Sequence, residues 1–261
     1  MEGIIKMDTS KLAARMKGYE VIAKGQLIKR MPVAIRIDGK AFHTFTKGFV
    51  KPFDFILMNA MQQTTKALCE NIQGCVFGYT QSDEITLILI DYQTFETDAW
   101  FDNEVQKICS ISASMATMYF NKFFKELAYD FMLTTIDEDY ILTLMKAIEK
   151  GAMFDSRCFN IPKEEVCNLI YWRQLDATRN SIQMVGQANF SHKQLQGKSC
   201  NMIQDMLHEQ KGINWNNFPP MCKRGTAVIK KNDEWYIDTQ MPILKGADRE
   251  YVNNAILYKE D

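Results

Sequence analysis

Three acids stand where apolar runs stop. Asp38 directly follows Met31 to Ile37, a short apolar and β-branched run that reads as a buried strand. Asp83 and Glu84 lie in the link Gln81-Ser82-Asp83-Glu84, between the strand-like runs Cys75 to Thr80 and Ile85 to Asp91. If the first run lies beside the third and antiparallel to it, its end and this tight turn share one sheet edge. Asp38, Asp83 and Glu84 then converge. Converging carboxylates raise one another's pKa unless a cation sits between them. Hard oxygen ligands select Mg²⁺ rather than zinc. Two such ions can activate an attacking oxygen and stabilise a leaving pyrophosphate. Spacing alone also allows a plainer reading, because acids in turns are commonly solvated turn residues.

The elements that must hold these acids follow from periodicity. A polar helix is expected over the first two dozen residues, with Leu12, Met16, Tyr19 and Ile22 at helical spacing. A helix is expected from Asp54, a suitable N-cap, to Asn71, with Ile56, Met58, Met61, Thr65 and Leu68 inward. A long helix is expected from Asp98 to Phe124, with Phe101, Val105, Ile108, Ser112, Met115 and Tyr119 recurring every three or four residues. Cys158 to Ile161 reads as a strand and Lys163 to Arg179 as a helix. A helix near Cys200 to Gln210 and strands at Ala227 to Lys230 and Glu234 to Ile237 follow. The order strand, helix, strand, strand, helix, strand is the split βαβ, ferredoxin-like arrangement, which is also that of a polymerase palm. The expected fold class is α+β: a palm-like βαββαβ antiparallel sheet with helices packed on it and a C-terminal α/β appendage. The expected division is an N-terminal helical arm (1–30), a palm-like core (31–180) and an appendage packed on that core (181–261).

The chain has 261 residues, 46% of them hydrophobic and 24% charged, ordinary globular values. Its net charge of −1 argues against a strong non-specific nucleic-acid binder. Local basic clusters remain available for steering: Lys24 to Arg30, Lys193 to Lys198, Lys223-Arg224 and Lys230-Lys231. Seven cysteines with no CxxC pair suggest a reducing, cytoplasmic setting without disulfides or zinc. No apolar run approaches the ~18 residues that span a bilayer, so no membrane association is expected.

The segments RIDGKAFHTFTKGFVKPFD (Arg36 to Asp54), YTQSDEITL (Tyr79 to Leu87), FDSR (Phe154 to Arg157), WRQLD (Trp172 to Asp176) and RGTAV (Arg224 to Val228) resemble the tRNA-histidine guanylyltransferase family, in that family's order. Together they cover roughly residues 32–229, and the combination is far more specific than any piece. The resemblance implies a palm-like enzyme that adds nucleotides in the 3′-to-5′ direction to the 5′ end of tRNA. It implies two Mg²⁺ ions, ATP, GTP or other nucleoside triphosphates as substrates, tRNA as partner, and a homotetramer. By position, Asp38 and Asp83 match the metal-binding carboxylates, and Gly39 a residue whose carbonyl helps hold a metal. Glu84 matches the acid beside the second carboxylate, either as a ligand or as a tuner of its neighbours. Lys40, Ala41, Phe42 and His43 match the nucleotide-contacting loop after the Asp-Gly turn. Lys51, Asp54, Ser82 and Lys107 match positions near the nucleotide and its triphosphate. By residue type alone, Lys51 and Lys107 are surface lysines and His43 a structural histidine. Arg157, Arg173, Arg179 and Asn180 match positions suited to tRNA, with helix–sheet ion pairing and packing an equal reading for Arg157, Trp172 and Arg173.

Two departures bear on the substrate. Members specific for histidine tRNA carry a HINxxYN-type motif after WRQxD; here the stretch is ATRNSIQ (Ala177 to Gln183), with Asn180 the nearest remnant. Glu104 stands where those members carry an arginine near the triphosphate. Both point to the guanylyltransferase-like branch, which resembles template-dependent repair enzymes acting on 5′-truncated tRNA. The rival expectations are addition of one G to histidine tRNA, a palm-type nucleotide cyclase and a non-catalytic RNA-binding palm.

Overall fold

β1 (Val33–Gly39) buries Val33, Ala34, Ile35 and Ile37, so apolar side chains leave it on both faces. Only a central strand covered on both sides satisfies that pattern. The computed structural model, which describes residues 10–21 and 24–258, places β1 inside a six-stranded antiparallel sheet. In order along the chain come α1 (Lys11–Val21), β1, the single turn α2 (Phe42–Phe45), α3 (Phe55–Asn71), β2 (Cys75–Gln81) and β3 (Glu84–Leu89). Then follow α4 (Val105–Met132), α5 (Glu138–Lys150), β4 (Phe154–Asn160), α6 (Lys163–Asn189), α7 (His192–Leu195) and α8 (Cys200–Lys211). The chain closes with α9 (Pro220–Arg224), β5 (Thr226–Lys231), β6 (Glu234–Asp238) and α10 (Glu250–Asn253).

The strand order is β4-β1-β3-β2-β5-β6, and its first four members are the split βαβ order. β5 pairs with β2, and β6 extends the sheet further. The C-terminal strands thus lengthen the palm sheet, and α6 runs unbroken across residues 180 and 181.

Each face has its own core. Ile35, Ile37, Ile85 and Leu87 pack against α3 and α4, where Phe42, Phe45, Phe120, Phe124 and Phe154 form an aromatic cluster. Ala34, Phe77, Tyr79 and Ile88 pack against Val166, Cys167 and Ile170 of α6. A third cluster joins Ile182 and Val185 of α6 to Ile203 and Leu207 of α8. None of the residues of α1 is buried. Leu12, Met16 and Tyr19 are exposed, and Ile22, expected beside them, lies outside the described residues.

Several boundaries differ from the sequence reading. The expected helix from Asp98 begins at Val105, because Phe101 and Asp102 adopt left-handed backbone (φ 51 and 52) inside a 3₁₀ turn. It ends at Met132 rather than Phe124, because buried Ala128 and half-buried Leu127 and Phe131 continue its apolar side. β4 starts four residues before Cys158. Its half-exposed alternation marks it as the sheet edge. α6 continues ten residues past Arg179, held by Val185 and Gly186 against α8. α5 had no counterpart in the sequence reading, although Asp137 caps it and Tyr140, Leu144 and Ala147 share its buried side.

Gly225 shows how tightly the C-terminal strand is joined to the palm. Its φ is +83, and a Cβ there would meet the Tyr79 hydroxyl at 2.5 Å and the Thr80 carbonyl at 2.7 Å. The Tyr79 hydroxyl donates to the Arg224 carbonyl at 2.7 Å. Gly225→Ala is therefore expected to lower stability by ~1–3 kcal/mol through backbone strain alone. Thermal unfolding of that variant reads the loss, and an unchanged midpoint would contradict the packing.

Candidate active site

β1 and β3 pair in the register Asp38↔Glu84, and β1 and β4 in the register Asp38↔Asp155. The β2–β3 hairpin turns through Ser82, whose φ is 50, and Asp83. The Gly39 N–H donates to the Asp83 carbonyl at 3.1 Å, clamping the end of β1 against that turn. Asp38, Gly39 and Asp83 thus meet at one sheet edge. Burial pushes the Asp83 carboxyl above the usual aspartate range; the Asp38 charge adds to this, and hydrogen bonds from the Ser82 hydroxyl (3.0 Å) and the backbone work against it. Gly39 is also required sterically: a Cβ there would lie 2.2 Å from the Phe42 ring.

Glu84 does something different. Its side chain is buried, with Oε1 accepting from Arg173 Nε at 2.6 Å and Oε2 lying 3.3 Å from Arg36. Burial lifts its carboxyl above the ordinary range, and the two guanidiniums offset this in part. Arg173 also binds Asp176 at 2.7 Å, which in turn holds Arg179. Both Arg36 and Arg173 lie over the exposed Trp172 ring. Among the described residues no three Asp, Glu, His or Cys side chains gather as a metal cage. The donors that do fit a hard cation are the Asp38 and Asp83 carboxylates with the Gly39 carbonyl, and a cation there offsets the burial and the Asp38 charge that lift Asp83.

The other expected positions divide. Lys40, in the link after β1, and His43, in α2, are exposed, and the His43 ring contacts Thr44 Oγ1 at 3.0 Å. Ala41 adopts left-handed backbone (φ 54) to start α2. Phe42 turns its ring into the aromatic core, which leaves only its backbone for a nucleotide. Lys51 and Ser82 are exposed. Asp54 is buried: it caps α3 through Leu57 N–H (3.0 Å), accepts from Val50 N–H (3.1 Å) and from the Tyr140 hydroxyl (2.5 Å). The Tyr140 bond was not legible beforehand, since α5 itself was not.

Lys107 has a half-exposed side chain and pairs with Glu104, the N-cap of its own helix. It sits early on α4, which packs on the face opposite α6, while Arg36 and, by alternation, Asp38 point to the α6 side. The neighbouring Cys109 contacts Cys158, which is level with Ile35 rather than Asp38. Its ammonium lies 3.6 Å from Glu104. Of the positions expected to meet tRNA, Arg173 is only 6% exposed and pairs with Glu84. Arg157 is exposed and pairs with Asp155 at 3.2 Å, and Arg179 is exposed beside Asp176.

A cavity of about 80 Å³ opens beside Ser82, the residue before Asp83. Gln81 and Ser82 form one wall, Asp54 and Met58 of α3 another, and Asn180 and Met184 of α6 a third. The ATRNSIQ stretch therefore faces this cavity with the Asn180 amide and the small side chains of Ala177 and Ser181.

A palm sheet that presents two carboxylates at the end of its central strands, beside a mixed polar–apolar cavity, defines a nucleotidyltransferase-type centre. The family model described as Thg1: tRNAHis guanylyltransferase matches residues 13–162. A bacterial tRNA(His) guanylyltransferase (Thg1)-like protein solved in complex with ATP is 44% identical, with a TM-score of 0.83 over 94% of this chain and 99% of that one. One solved with GTP is 38% identical, with a TM-score of 0.74 over the same shares. The tRNA(His) guanylyltransferase of Saccharomyces cerevisiae is 27% identical over 79% of this chain and 85% of its own. The chain belongs to the Thg1 family, and it is a nucleotidyltransferase of the tRNA guanylyltransferase-like kind. No helix among the described residues is long and apolar enough to cross a membrane.

Proposed function

We propose that this protein repairs or extends the 5′ end of truncated tRNA in the 3′-to-5′ direction, choosing each nucleotide by base pairing with the opposing strand. One observation carries the reading: the α6 stretch Ala177 to Gln183, which borders the cavity beside Ser82, lacks the histidine of the anticodon-reading motif. The 44% identity to a Thg1-like protein supports it.

In the first step an oxygen of the RNA 5′-monophosphate attacks the α-phosphorus of a nucleoside triphosphate. Pyrophosphate leaves, and the RNA end carries a nucleoside monophosphate through a new phosphoanhydride. In the second step the 3′-hydroxyl of the incoming nucleoside triphosphate attacks the RNA 5′-phosphorus, and that nucleoside monophosphate leaves. An RNA that already bears a 5′-triphosphate skips the first step and releases pyrophosphate in the second. Asp38 and Asp83, with the Gly39 carbonyl, would hold Mg²⁺, which supplies charge neutralisation and acidifies the attacking hydroxyl when bound. Ser82 and the loop from Lys40 to His43 line the nucleotide's approach, and Lys51 is placed to offer an ammonium to a phosphate. Glu84 and Arg173 keep the strand edge in register. Modest net charge suits a protein that reads A-form shape and backbone and leaves sequence choice to pairing.

A tRNA transcript lacking its first nucleotide, supplied with ATP, Mg²⁺ and each nucleoside triphosphate in turn, tests this. Extension only by the complement of the opposing base is expected. Addition of G whatever that base is would establish the histidine-tRNA activity instead.

Metal binding has its own readout. The raised Asp83 carboxyl holds its proton more tightly in the folded than in the unfolded chain. Its contribution therefore favours the fold below the ordinary aspartate pKa and is lost as pH rises through the raised value. At neutral pH a cation restores that loss. Mg²⁺ at ten times its Kd is expected to stabilise the protein by about 1.4 kcal/mol. That corresponds to a rise of roughly 3–5 °C in Tm. Asp83→Asn is expected to abolish the response, and an equal Mg²⁺ shift in that variant would exclude the site.

A further inference from the structure

α6 has a second working side beyond the one that meets Glu84, and it lies outside the residues matched by the family model. Tyr171 and Leu175 of α6, Trp215, Lys223, Arg224 and Lys245 are among the residues lining a groove of about 250 Å³. No aspartate or glutamate lines it. Among the described residues none of its three cations joins an ion pair. Lys223 Nζ donates to the Asn216 carbonyl at 2.6 Å and lies 5.5 Å from the centre of the Trp215 ring. Arg224 Nε donates to the Met241 carbonyl at 3.1 Å, and Lys245 Nζ lies 5.7 Å from the Tyr171 ring. Burial and the neighbouring Arg224 charge both pull the Lys223 ammonium below the usual lysine pKa. Cations gathered without a counter-charge repel one another, and an anion in the groove removes that cost. Unpaired cations lined up along a groove are the surface that tracks a nucleic-acid backbone, with the phosphates on the ammoniums and guanidinium.

The groove also has a direction. Trp215 Nε1 donates to Ser181 Oγ at 3.0 Å, and Ser181 lines the cavity beside Ser82. Gly225, next to Arg224, lines that cavity too. The groove and the cavity beside Ser82 are thus joined through Trp215–Ser181 and through the Arg224-Gly225 step. The geometry points to this groove as the seat of the RNA substrate's phosphodiester backbone, holding the strand that leads away from the reacting 5′ end through Lys223, Arg224 and Lys245. This rests on the RNA-extending reading above. It also explains how a chain of net charge −1 grips a polyanion: the charge that matters is local.

The test is binding, measured apart from catalysis. A 3′-fluorescein tRNA transcript lacking its first nucleotide is titrated with wild type, Lys223→Gln/Lys245→Gln and Lys223→Arg/Lys245→Arg at several salt concentrations. ATP affinity is measured on the same proteins by equilibrium dialysis, and Tm confirms folding. The glutamine pair is expected to weaken RNA binding about tenfold or more and to flatten the plot of log Kd against log salt by about 1 per lysine. The arginine pair should bind like wild type, with ATP affinity unchanged in both. If the glutamine pair unfolds, Lys245→Gln alone carries the test, since its ammonium makes only a ring contact. An unchanged Kd and salt slope overturn the proposal. Loss of ATP affinity in place of RNA affinity also overturns it, making the groove a triphosphate seat. A wild type that binds RNA through these lysines yet extends none leaves the groove standing and removes the proposed reaction. A wild type that binds no tRNA removes both.

Discussion

Asp38→Asn and Asp83→Asn are each expected to lower 5′ extension by at least about a thousandfold while leaving tRNA affinity nearly unchanged. The size follows from the work assigned to the pair. Charge neutralisation at a transferring phosphoryl group is worth several kcal/mol, and each ~1.4 kcal/mol is a factor of ten in rate. The two residues are not interchangeable in stability. Asp83 is partly buried and its carboxyl is already pushed up by burial and by Asp38, so neutralising it should make the metal-free protein slightly more stable. Asp38 ends β1 opposite both Glu84 and Asp155, where its loss removes one acid from a cross-strand row. Single-turnover extension of a truncated transcript and thermal melts with and without Mg²⁺ separate these effects. Activity within tenfold of wild type in either variant would remove that residue from the reaction centre. A thousandfold loss accompanied by a collapse in Tm would show unfolding rather than chemistry. The asparagine replacement is chosen to keep the shape and so avoid that outcome.

The part of this site that sequence reveals is the part made by neighbours in sequence. Apolar runs bracketing QSDE force a hairpin, and the hairpin puts Asp83 at its tip. The abrupt stop of VAIRI at Asp38-Gly39 places the second acid at a strand end, and one strand pairing then joins the two. What joins Glu84 to Arg173 is a contact across 89 positions, which no local pattern encodes. That contact and the one to Arg36 bury the Glu84 carboxylate between two guanidiniums. Lys107 shows the other limit of local pattern. Helical spacing gives its helix but not the sheet face on which that helix packs, and α4 lies opposite the α6 side. β4 was read short because FDSRC alternates polar with apolar at an edge, whereas a continuous apolar run is easier to see. α5 carried a readable signal: an aspartate cap, two acids in the first turn and Tyr140, Leu144 and Ala147 on one side. Its importance was still hidden, because the Tyr140 hydroxyl reaches Asp54 across 86 positions.

Glu84→Ala is expected to cost about 3–5 kcal/mol of stability, because it strands two buried or half-buried guanidiniums without their anion. In a protein of this size that lowers Tm by roughly 6–20 °C. The Arg173 side chain is only 7% exposed, so water can replace little of what Glu84 supplies. Arg36 Nε is already buried without a hydrogen-bond partner, so the loss of Glu84 removes the acid that faces that guanidinium. Arg173→Met should cost a comparable amount by leaving Glu84 buried beside Arg36 alone. The double variant Glu84→Leu/Arg173→Met should lose less than the two singles added together, since neither partner is then left uncompensated. The same set decides what Glu84 does for catalysis. If it holds the β3 edge in register, Glu84→Gln lowers kcat without moving the Mg²⁺ concentration that gives half-maximal activity, and the effect tracks the loss in Tm. If it ligates a metal, the Mg²⁺ midpoint shifts tenfold or more with little change in Tm. The commitment of both Glu84 oxygens to arginines makes the first outcome the expected one, and it ties the reaction centre's geometry to an ion pair between the palm sheet and α6. Arg173 shares α6 with Tyr171 and Leu175 of the proposed groove, so the same pair joins that helix to the strand that begins beside Asp83.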